Sequence, residues 1–446
     1  MLAEKIAQKN ARIGVIGLGY VGLPLAVEFA RDGFTVTGID IDARKVDGLN
    51  RGESYIPDVE SGDVQRLIAQ KKFTPTSDYD SVGELDIIFI CVPTPFNKMK
   101  APDLAAVTAA TQSIALRLRA GQLVILQSTT FPGTTEEICQ PILEQSGLKA
   151  GKDFHLAFSP ERIDPGSTSS TGWNVRNTPK VVGGLTPQCA LLAKALLVHL
   201  TKEVYLVSSP RAAEMTKLLE NIFRSVNIAL VNELALLSER MDIDIWEVIN
   251  AAKTKPFGFM PFYPGAGVGG HCIPVDPYYL SWKAREYDFT TKFIELAAEI
   301  NQGMPFHVVK LLSDSLNRLG KSVKDARVLL LGVAFKPNVE DARNSPAERV
   351  MELLLGRGAQ VQYHDPYVPV FQIGDDVFHR GHSEFKSVPL TDDALRASDA
   401  VVIVTAHKSV DYARVVKFAP LVIDSANAAA GQAGNIVRLG APFNSK

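Results

Sequence analysis

Apolar residues in the first 210 positions fall into short, β-branched runs separated by helical patterns. The run Arg12–Ile16 is followed by a helical pattern and by a second run, Thr35–Ile39. Further runs occur at 87–92, 123–127 and 204–207. Continuous short apolar runs are typical of parallel strands that are buried on both faces. Their alternation with helices predicts a doubly wound sheet.

The middle of the chain has a different pattern. Residues 212–240 contain no Gly or Pro, and apolar positions recur at helical spacing, which predicts one long helix. Residues 253–277 are rich in Gly, Pro and aromatic residues, so we expect an ordered loop or a series of turns. A second long helix is predicted over 291–319, with a kink or break at Gly303 and Pro305.

A third section begins at Arg327 and again alternates strand and helix patterns. Its strand patterns are VLLLGVAF, AQVQYHDP, VVIVTAH and LVIDSAN, and 346–357 has a helical pattern. The expected organisation is an α/β domain over 1–208, a helical domain over 209–322 and a smaller α/β domain over 323–446. The two α/β domains are expected to be alike in layout but not in residues.

The composition is that of a globular chain of about three domains, with 446 residues of which 46% are apolar and 22% charged. A net charge of −2 provides no basic field for a polyanion, so we expect no nucleic-acid partner. No apolar run reaches the roughly 18 residues that span a bilayer. The N-terminal segment is not typical of a signal peptide. We therefore expect a cytoplasmic protein without a membrane partner.

The four cysteines are widely spaced and form no CxxC pair. A disulfide framework or a structural zinc site is therefore not expected, and the compartment is expected to be reducing. A free cysteine is usually a small buried hydrophobe. That interpretation suits Cys91, Cys139 and Cys189. It suits Cys272 poorly, because four glycines precede this residue in the segment GAGVGGHC. Such a backbone can bend around a ligand. We assign no role to His271.

Residues 17–22 read GLGYVG, a GxGxxG pattern that follows a predicted strand and begins a predicted helix. Gly17 permits a tight turn, Gly19 lets the backbone approach a pyrophosphate, and Gly22 lets the helix pack against the sheet. Asp40 can accept from a ribose 2′-hydroxyl and would repel a 2′-phosphate. The pattern predicts an NAD site, against the alternative of a plain glycine turn. Lys45 either covers the adenosine end or is a solvated charge.

Short polar residues follow two other strands at the same expected edge of the sheet. They are Pro93 and Thr94 in CVPTP, and Ser128 and Thr129 in QSTT. They can reach a cofactor, but hydroxyl residues there also serve as helix caps. Glu161, in SPER, follows another strand-like run, and its alternative role is a helix-start carboxylate.

Lys217 and Asn221 are four residues apart and share one face of the long helix. A solvated helix face is the default interpretation of such a pair. The pair becomes a candidate for catalysis if this face meets Cys272.

Six segments occur in a characteristic order: GLGYVGLPLA with Asp40, CVPTP, SPER, EMTKLLEN, GVGGHCIPVDPYYL and GVAFKPNVEDARNSP. In this order the chain resembles, over nearly its whole length, the UDP-glucose/GDP-mannose dehydrogenases, which are NAD-dependent nucleotide-sugar 6-dehydrogenases. The loop PFGFMPFYPG resembles the bacterial UDP-N-acetylglucosamine 6-dehydrogenases most. The expected fold class is α/β, with two Rossmann-like doubly wound domains joined by a central helical domain.

The resemblance implies a four-electron oxidation of a sugar C6 alcohol to an acid, with two NAD⁺ consumed. Cys272 would form a thiohemiacetal and then a thioester. Lys217 and Asn221 would stabilise the oxyanion, and Asp276 would hold Lys217 or a water. Glu161 would assist proton transfer during hydrolysis, with Thr129 positioning the water.

The resemblance also assigns binding residues and a homodimer built on the long helix. Cofactor contacts are expected from Gly17, Gly19, Tyr20, Val21, Gly22, Asp40, Lys45, Pro93, Thr94, Ser128, Thr129 and Arg343. Contacts with the UDP-sugar are expected from Glu161, Arg162, Lys217, Asn221, Tyr263, Gly265, Gly269, Phe335 and Lys336.

Three departures from the family pattern bear on the substrate. Pro165 stands where UDP-glucose enzymes often carry a second carboxylate, and no arginine lies near Pro256. Both argue against UDP-glucose. Ala426 stands where many members have an arginine, so one phosphate contact is missing there. The alternatives are a UDP-glucose 6-dehydrogenase, a two-electron hydroxyacid dehydrogenase, and a non-catalytic binding protein.

Overall fold

The computed structural model describes residues 1–97, 101–163, 172–270, 273–374, 381–429 and 434–442. The chain divides into two compact units. The first unit comprises Met1–Glu220 and Tyr278–Phe289, and the second comprises Asn221–Pro277 and Thr290–Lys446.

The first unit is built around a sheet that has eight strands in the described residues. The strands are β1 (Arg12–Ile16), β2 (Thr35–Ile39), β3 (Phe73–Thr76), β4 (Ile87–Ile90), β5 (Leu123–Leu126), β6 (His155–Phe158), β7 (Lys180–Gly184) and β8 (Val204–Val207). Their order across the sheet is β3-β2-β1-β4-β5-β6-β7-β8. The runs predicted as strands are confirmed, whereas β3 and β7 were not predicted.

One pairing departs from a fully parallel sheet. β6 and β7 are antiparallel, with Ala157 opposite Gly184 and Phe158 opposite Gly183. β8 is parallel to β7. The last two strands therefore run against the first six.

Helices cover both faces of this sheet. They are α1 (Leu2–Ala7), α2 (Gly22–Arg31), α3 (Ala43–Asn50), α4 (Ser61–Ala69), α5 (Ala105–Ala115), α6 (Gln140–Leu143) and α7 (Pro187–Leu197). Alternate strand residues enter opposite cores: Ile87 and Phe89 pack with α2 and α7, and Ile88 and Ile90 pack with α5. A strand with two buried faces has no polar face to alternate with, which explains the continuous apolar runs.

The long helix α8 (Pro210–Arg240) confirms the prediction over 212–240 and passes from one unit into the other. It is followed by α9 (Ile245–Ala252), α10 (Asp276–Ala284) and α11 (Lys292–Arg318). The described residues of 253–270 contain no helix or strand, as predicted for a loop. Of the kink or break expected at Gly303 and Pro305, the break is excluded, because α11 continues through both residues.

In its described residues, the second unit contains a five-stranded parallel sheet in the order β10-β9-β13-β14-β15. Its strands are β9 (Arg327–Leu331), β10 (Gln360–His364), β13 (Ala400–Ile403), β14 (Val422–Asp424) and β15 (Ile436–Arg438). A separate antiparallel pair, β11 (Val370–Gly374) and β12 (His382–Lys386), was not predicted. The helices are α12 (Pro346–Gly356), α13 (Asp392–Ala397) and α14 (Tyr412–Phe418).

The two α/β sections share a glycine as well as a layout. Gly17, after β1, has φ +91°, and a Cβ there would lie 2.6 Å from the Cys91 carbonyl oxygen. Gly332, after β9, has φ +80°, and a Cβ there would lie 2.1 Å from the Thr405 carbonyl oxygen. Both positions require a left-handed backbone and a close approach to the backbone of a neighbouring segment. Only glycine permits both.

They also share an aspartate at the end of the second strand. The carboxylate of Asp40 accepts from the Leu18 N–H at 2.8 Å. The carboxylate of Asp365 accepts from the N–H groups of Val333 and Ala334 at 2.7 and 3.0 Å. The two sections were expected to be alike in layout but not in residues, and the glycine turn and this acid are two exceptions.

The glycine after β9 generates a stability prediction. Gly332→Ala should lower the free energy of unfolding by about 1–3 kcal/mol. Alanine disfavours this φ, and its Cβ meets a backbone carbonyl. Gly356→Ala is the matched control, because a Cβ there meets nothing within 4 Å. The control should be neutral or stabilise by about 0.5–1 kcal/mol. Urea unfolding of both variants checks this. Equal midpoints would contradict it.

Candidate active site

The turn between β1 and α2 has the geometry of a dinucleotide site. A Cβ on Gly22 would lie 1.8 Å from the Gly17 carbonyl oxygen, so α2 can begin this close to the turn only with glycine there. A Cβ on Gly19 would meet nothing within 4 Å. The turn is therefore open at Gly19, at the N-terminus of a helix, where a pyrophosphate would be held. Tyr20 beside it is exposed and Val21 is half-buried.

Asp40 is 6% exposed and is fixed by two backbone groups. Its carboxylate accepts from the N–H groups of Leu18 at 2.8 Å and Asp42 at 2.9 Å. Two bonds leave acceptor sites unused on a carboxylate, which fits the hydroxyls of an adenosine ribose. The ammonium of Lys45 lies 3.6 Å from the same carboxylate, and the Lys45 side chain is 38% exposed.

Two residues near Asp40 were missed by sequence reasoning. The Tyr55 hydroxyl donates to the Leu18 carbonyl at 2.7 Å, and the Lys45 ammonium lies 5.9 Å from the centre of its ring. Burial, with the Asp40 carboxylate, raises the pKa of Tyr55. Ile41 directly follows Asp40 and is 85% exposed. The sequence signal that could have identified Ile41 is its apolar side chain directly after Asp40, the acid that follows the GxGxxG pattern.

The strand-end hydroxyls tie two neighbouring loops together. The Thr94 hydroxyl donates to the Thr129 carbonyl at 2.8 Å, and the Ser128 hydroxyl donates to the Val92 carbonyl at 2.7 Å. Neither residue caps a helix, because the caps of the helical segments that follow them are Leu104 and Thr134. The helix-cap alternative is therefore wrong for Thr94 and Ser128. Pro93 is exposed and Thr129 half-buried beside them.

Glu161 is buried among hydrogen-bond donors. The Lys180 ammonium lies 2.7 and 2.8 Å from its two oxygens, and the Gln127 amide donates at 3.0 Å. Burial tends to raise the pKa of Glu161, but the Lys180 ammonium and backbone N–H groups outweigh it and hold that pKa below its usual range. Arg162 donates to the Pro179 carbonyl at 2.9 Å and pairs with Glu220.

Lys217 lies on α8 and is only 6% exposed. In the part of its unit that the structure describes, its ammonium has no hydrogen-bond or ion-pair partner. A lysine with so little exposure and no counter-ion is unusual, because charged side chains that leave water are normally paired. The default interpretation of a solvated helix face was wrong for Lys217.

Asn221 is fully buried and belongs to the second unit. Its side-chain amide donates to Asp276, and its oxygen accepts from Arg224. Asp276 is 3% exposed at the start of α10. The default of a solvated face was therefore wrong for Asn221 as well. Asn221 is one partner of Asp276, and the resemblance implied Lys217 or a water.

Glu214, one turn before Lys217 on α8, was also missed. This fully buried carboxylate accepts from the N–H groups of Gly133 and Thr135 and from the Thr135 hydroxyl at 2.6 Å. Burial raises the pKa of Glu214. The segment after Thr129 is thereby attached to the helix that carries Lys217.

Cys272, His271 and Pro165 lie outside the described residues. The other three cysteines are buried, as expected of small hydrophobes. Burial raises the pKa of Cys91, and it raises the pKa of Cys139 to about 12. Burial also acts on Cys189, but hydrogen bonds with His155 and Thr186 lower its pKa to about 7.

The glycine-rich loop is attached to the two long helices of the second unit. The Gly265 N–H donates to the Asn232 side chain at 3.0 Å. Asn232 donates to the side chain of Asn301 at 2.9 Å, and Asn301 donates to the Ser225 carbonyl at 3.1 Å. Buried amides thus fix the loop, and the Gly265 N–H is already used inside the protein.

The end of this loop packs on Phe335. A Cβ on Gly269 would lie 2.9 Å from the Cβ of Phe335, and one on Gly270 would lie 2.8 Å from its ring. The Gly270 N–H donates to the Arg343 carbonyl at 3.1 Å. The Lys336 ammonium lies 5.4 Å from the centre of the Phe335 ring. The structure brings Gly269, Phe335, Lys336 and Arg343 together in the second unit.

Aromatic residues line the start of the same loop. Tyr263 is 43% exposed and stacks on Trp246, with ring centres 5.8 Å apart and planes inclined by 14°. Phe262 packs edge-on against Phe223 at 5.7 Å. Tyr263 therefore offers an open aromatic surface on a supported ring.

The position that lacks an arginine has an arginine on the next strand. The Ala426 N–H donates to Asp424 at 3.0 Å, and burial raises the pKa of Asp424. Arg438 on β15 is the register partner of Asp424. Its guanidinium donates to Asn427 at 2.9 Å and pairs with Asp244.

The described residues contain no group of three or more His, Cys, Asp or Glu side chains placed to hold a metal ion. Within the same part of the chain, no helix combines the length and apolar character that crossing a membrane requires.

Comparison with known proteins gives the family. Three domains of the UDP-glucose/GDP-mannose dehydrogenase family match this chain: the NAD binding domain over residues 11–205, the central domain over 211–303 and the UDP binding domain over 329–430. These matches cover the segments that carry the resemblance found in the sequence.

Relatives match over almost the full chain. The UDP-N-acetyl-D-glucosamine 6-dehydrogenase of Pseudomonas aeruginosa is 38% identical, over 90% of this chain and 91% of that protein. The UDP-N-acetyl-D-mannosamine dehydrogenase of Pyrococcus horikoshii is 35% identical, over 93% and 95%. A solved structure of the UDP-D-ManNAc dehydrogenase from Pyrococcus horikoshii matches with a TM-score of 0.86 at 32% identity, covering 96% of this chain and 99% of that one. The chain belongs to the UDP-glucose/GDP-mannose dehydrogenase family and is an NAD-dependent nucleotide-sugar 6-dehydrogenase, an oxidoreductase.

Proposed function

We propose that this enzyme oxidises the C6 alcohol of a UDP-N-acetylhexosamine to the uronic acid, with UDP-N-acetylglucosamine as the first candidate. The observation that carries the proposal is Lys217, a lysine that is only 6% exposed and has no ion-pair partner in the described part of its unit. Such a group is suited to stabilising an anion that forms during a reaction. The names of the relatives support the class of sugar.

Cys272 is the nucleophile of this proposal. Its thiolate adds to the C6 aldehyde, and the resulting thiohemiacetal loses a second hydride to become a thioester that water cleaves to the acid. Bound NAD⁺ supplies the hydride acceptor in both oxidations. Lys217 stabilises the oxyanion of the thiohemiacetal, and Thr129 positions the water.

Asn221 assists Lys217 as a neutral donor. An amide NH₂ group has two hydrogens, and one of those on Asn221 is donated to Asp276. Arg224 holds the amide oxygen, so the orientation of the group is set from both ends. The second N–H is then available to the oxyanion.

The substrate class follows from the loop before the glycines. An acetamido methyl group requires an apolar or aromatic wall, and Tyr263, supported by Trp246, provides one. The Pyrococcus horikoshii relative favours UDP-N-acetylmannosamine as the second candidate. UDP-glucose is the third candidate substrate. It has no acetamido group, so it would not contact the aromatic wall.

The enzyme is proposed to act as a homodimer built on α8. Four apolar side chains of this helix in the second unit are exposed at helical spacing: Phe223, Leu230, Leu234 and Leu237. Exposed apolar rows of this kind mark association surfaces. A second copy would cover them by packing helix against helix.

Removal of the Lys217 charge should reduce turnover strongly. Lys217→Met retains the length of the side chain but not the ammonium, so kcat should fall about 10²- to 10³-fold, as expected when one oxyanion donor is lost. Lys310→Met is the control, because Lys310 is exposed on α11 and pairs with Asp314. Initial rates of NADH formation measure the turnover of both variants. Near-normal turnover of Lys217→Met would remove the main support for the proposal.

Asp40 should determine the choice of cofactor. Asp40→Asn removes the charge that repels a 2′-phosphate and weakens the bond to a 2′-hydroxyl. The NAD-to-NADP ratio of kcat/KM should therefore fall by about ten- to hundredfold. Asp47→Asn, an exposed change on α3, should leave the ratio unchanged. A wild-type enzyme that uses both cofactors equally would contradict the role of Asp40.

The substrate itself is tested with a panel of UDP-sugars. We expect kcat/KM for UDP-N-acetylglucosamine to exceed that for UDP-glucose by about ten- to hundredfold, because glucose leaves acetamido-binding groups unpaired. UDP-N-acetylmannosamine and UDP-N-acetylgalactosamine are measured beside them. Each complete oxidation should yield two NADH. A yield of one would reject the four-electron mechanism, and a preference for UDP-glucose would reject only the sugar class.

A further inference from the structure

Leu18 lies between the first two glycines of the turn that follows β1, and it is held at three points. Its side chain is fully buried in the core of the first unit. Its N–H donates to the Asp40 carboxylate at 2.8 Å, and its carbonyl oxygen accepts from the Tyr55 hydroxyl at 2.7 Å. The side chain and both backbone groups of Leu18 are therefore fixed by residues outside the turn.

The hydrogen bond from Tyr55 determines the orientation of the peptide between Leu18 and Gly19. In a trans peptide the carbonyl and the N–H point in opposite directions. Because the Leu18 carbonyl is turned to Tyr55, the Gly19 N–H is turned away from it, and in the described residues this N–H has no hydrogen-bond partner. A Cβ on Gly19 would meet nothing within 4 Å, so there is open space beside this peptide.

The glycine turn does not fix this orientation by itself. Gly19 has no Cβ and can adopt a wide range of φ, so rotation of the peptide that precedes it meets little steric resistance. The rotated peptide would place a carbonyl oxygen, with its partial negative charge, where the N–H now lies. Such an oxygen would repel the phosphates of a dinucleotide, whereas an N–H attracts them. A group that holds the Leu18 carbonyl therefore favours cofactor binding.

Tyr55 is placed firmly enough to hold that carbonyl. Ile56 and Val59, which follow it, are each 4% exposed and belong to the core of the unit. The Ser54 side chain accepts from the Ile56 N–H at 3.2 Å. Burial raises the pKa of Tyr55 and the Asp40 carboxylate raises it further, so the hydroxyl retains the hydrogen that it donates.

We propose that Tyr55 is a positioning residue for the cofactor: its hydroxyl keeps the Leu18 carbonyl turned away from the pyrophosphate position, so that the turn presents the Gly19 N–H there. Tyr55 thus acts through the backbone of the turn and not by contact with the adenosine. This role concerns the cofactor, NAD, and does not depend on which sugar is oxidised.

The test removes only the hydroxyl. Tyr55→Phe retains the ring, and the dissociation constant of NAD⁺, measured by titration calorimetry on the full-length enzyme, should rise about three- to tenfold, as expected when one hydrogen bond is lost. KM for NAD⁺ should rise by the same factor, whereas kcat at saturating NAD⁺ should stay within about twofold of wild type. Tyr205→Phe is the matched control, because Tyr205 is 59% exposed on β8 and its hydroxyl lies 3.4 Å from Glu203. The control should bind NAD⁺ as the wild type does.

Fragments of the cofactor separate the turn from the adenosine end. ADP-ribose contains the pyrophosphate, so Tyr55→Phe should weaken its binding by the same factor as that of NAD⁺. Adenosine has no phosphate, so its affinity should not change. The competing explanation is an effect through Lys45, whose ammonium lies 5.9 Å from the centre of the Tyr55 ring and 3.6 Å from the Asp40 carboxylate. In that case adenosine would lose affinity by the same factor as NAD⁺, and this result would overturn the proposal.

A merely structural role of Tyr55 predicts another pattern. Tyr55→Phe would then unfold at a lower urea concentration, but each folded molecule would bind NAD⁺ with unchanged affinity, and this result would also overturn the proposal. The binding measurements require no sugar. They therefore decide the role of Tyr55 even where the wild-type enzyme oxidises none of the UDP-sugars, a result that would reject only the proposed function.

Discussion

A buried ammonium group needs nearby negative charge, and this requirement organises the first unit. Lys180, Lys217 and Lys283 are all at least nine-tenths buried. Lys180 is compensated by Glu161, and Lys283 by Glu137 and Glu286. Lys217 differs, because the described part of its unit provides no carboxylate for it. Two of these lysines therefore have carboxylate partners, and Lys217 has none in the described part of the first unit. An anion that forms only during the reaction gains most from a charge that is already desolvated.

The two α/β sections contain the same glycine turn and the same aspartate, but the two aspartates serve different purposes. Asp40 receives two backbone donors and retains acceptor sites for a ligand. Asp365 receives five donors, from Val333, Ala334, Tyr367, Val368 and His407. Because the Asn338 N–H donates to Nδ1 of His407, Nε2 of that ring must carry the hydrogen that it donates to Asp365. A saturated carboxylate cannot bind ribose hydroxyls. Only the first section is thus suited to recognise a dinucleotide in this way.

Sequence patterns predicted the strands and helices that are determined by the residues within each segment. β1, β2 and β8 have the predicted limits, because continuous β-branched runs mark strands buried on both faces. β3 and β7 were missed because FTPT and KVVGG contain Pro or Gly, which interrupt an apolar run. Lys217 and Asn221 were placed on the right helix, but their burial depends on what packs against that helix. Lys180 could not be found, since its partner is supplied by strand register.

The reversal of β7 explains why a cation can reach the edge of the sheet where β6 ends. A parallel strand brings its first residue to the opposite edge of the sheet, so only an antiparallel strand can place its first side chain beside the end of β6. Two glycines hold the register. A Cβ on Gly183 would lie 2.0 Å from the Ser209 carbonyl oxygen, and one on Gly184 would lie 2.2 Å from the Ala190 nitrogen. A slip by one residue would turn Lys180 to the other face of the sheet. The close packing of Gly183 and Gly184 against α7 and the start of α8 therefore determines that the ammonium meets Glu161.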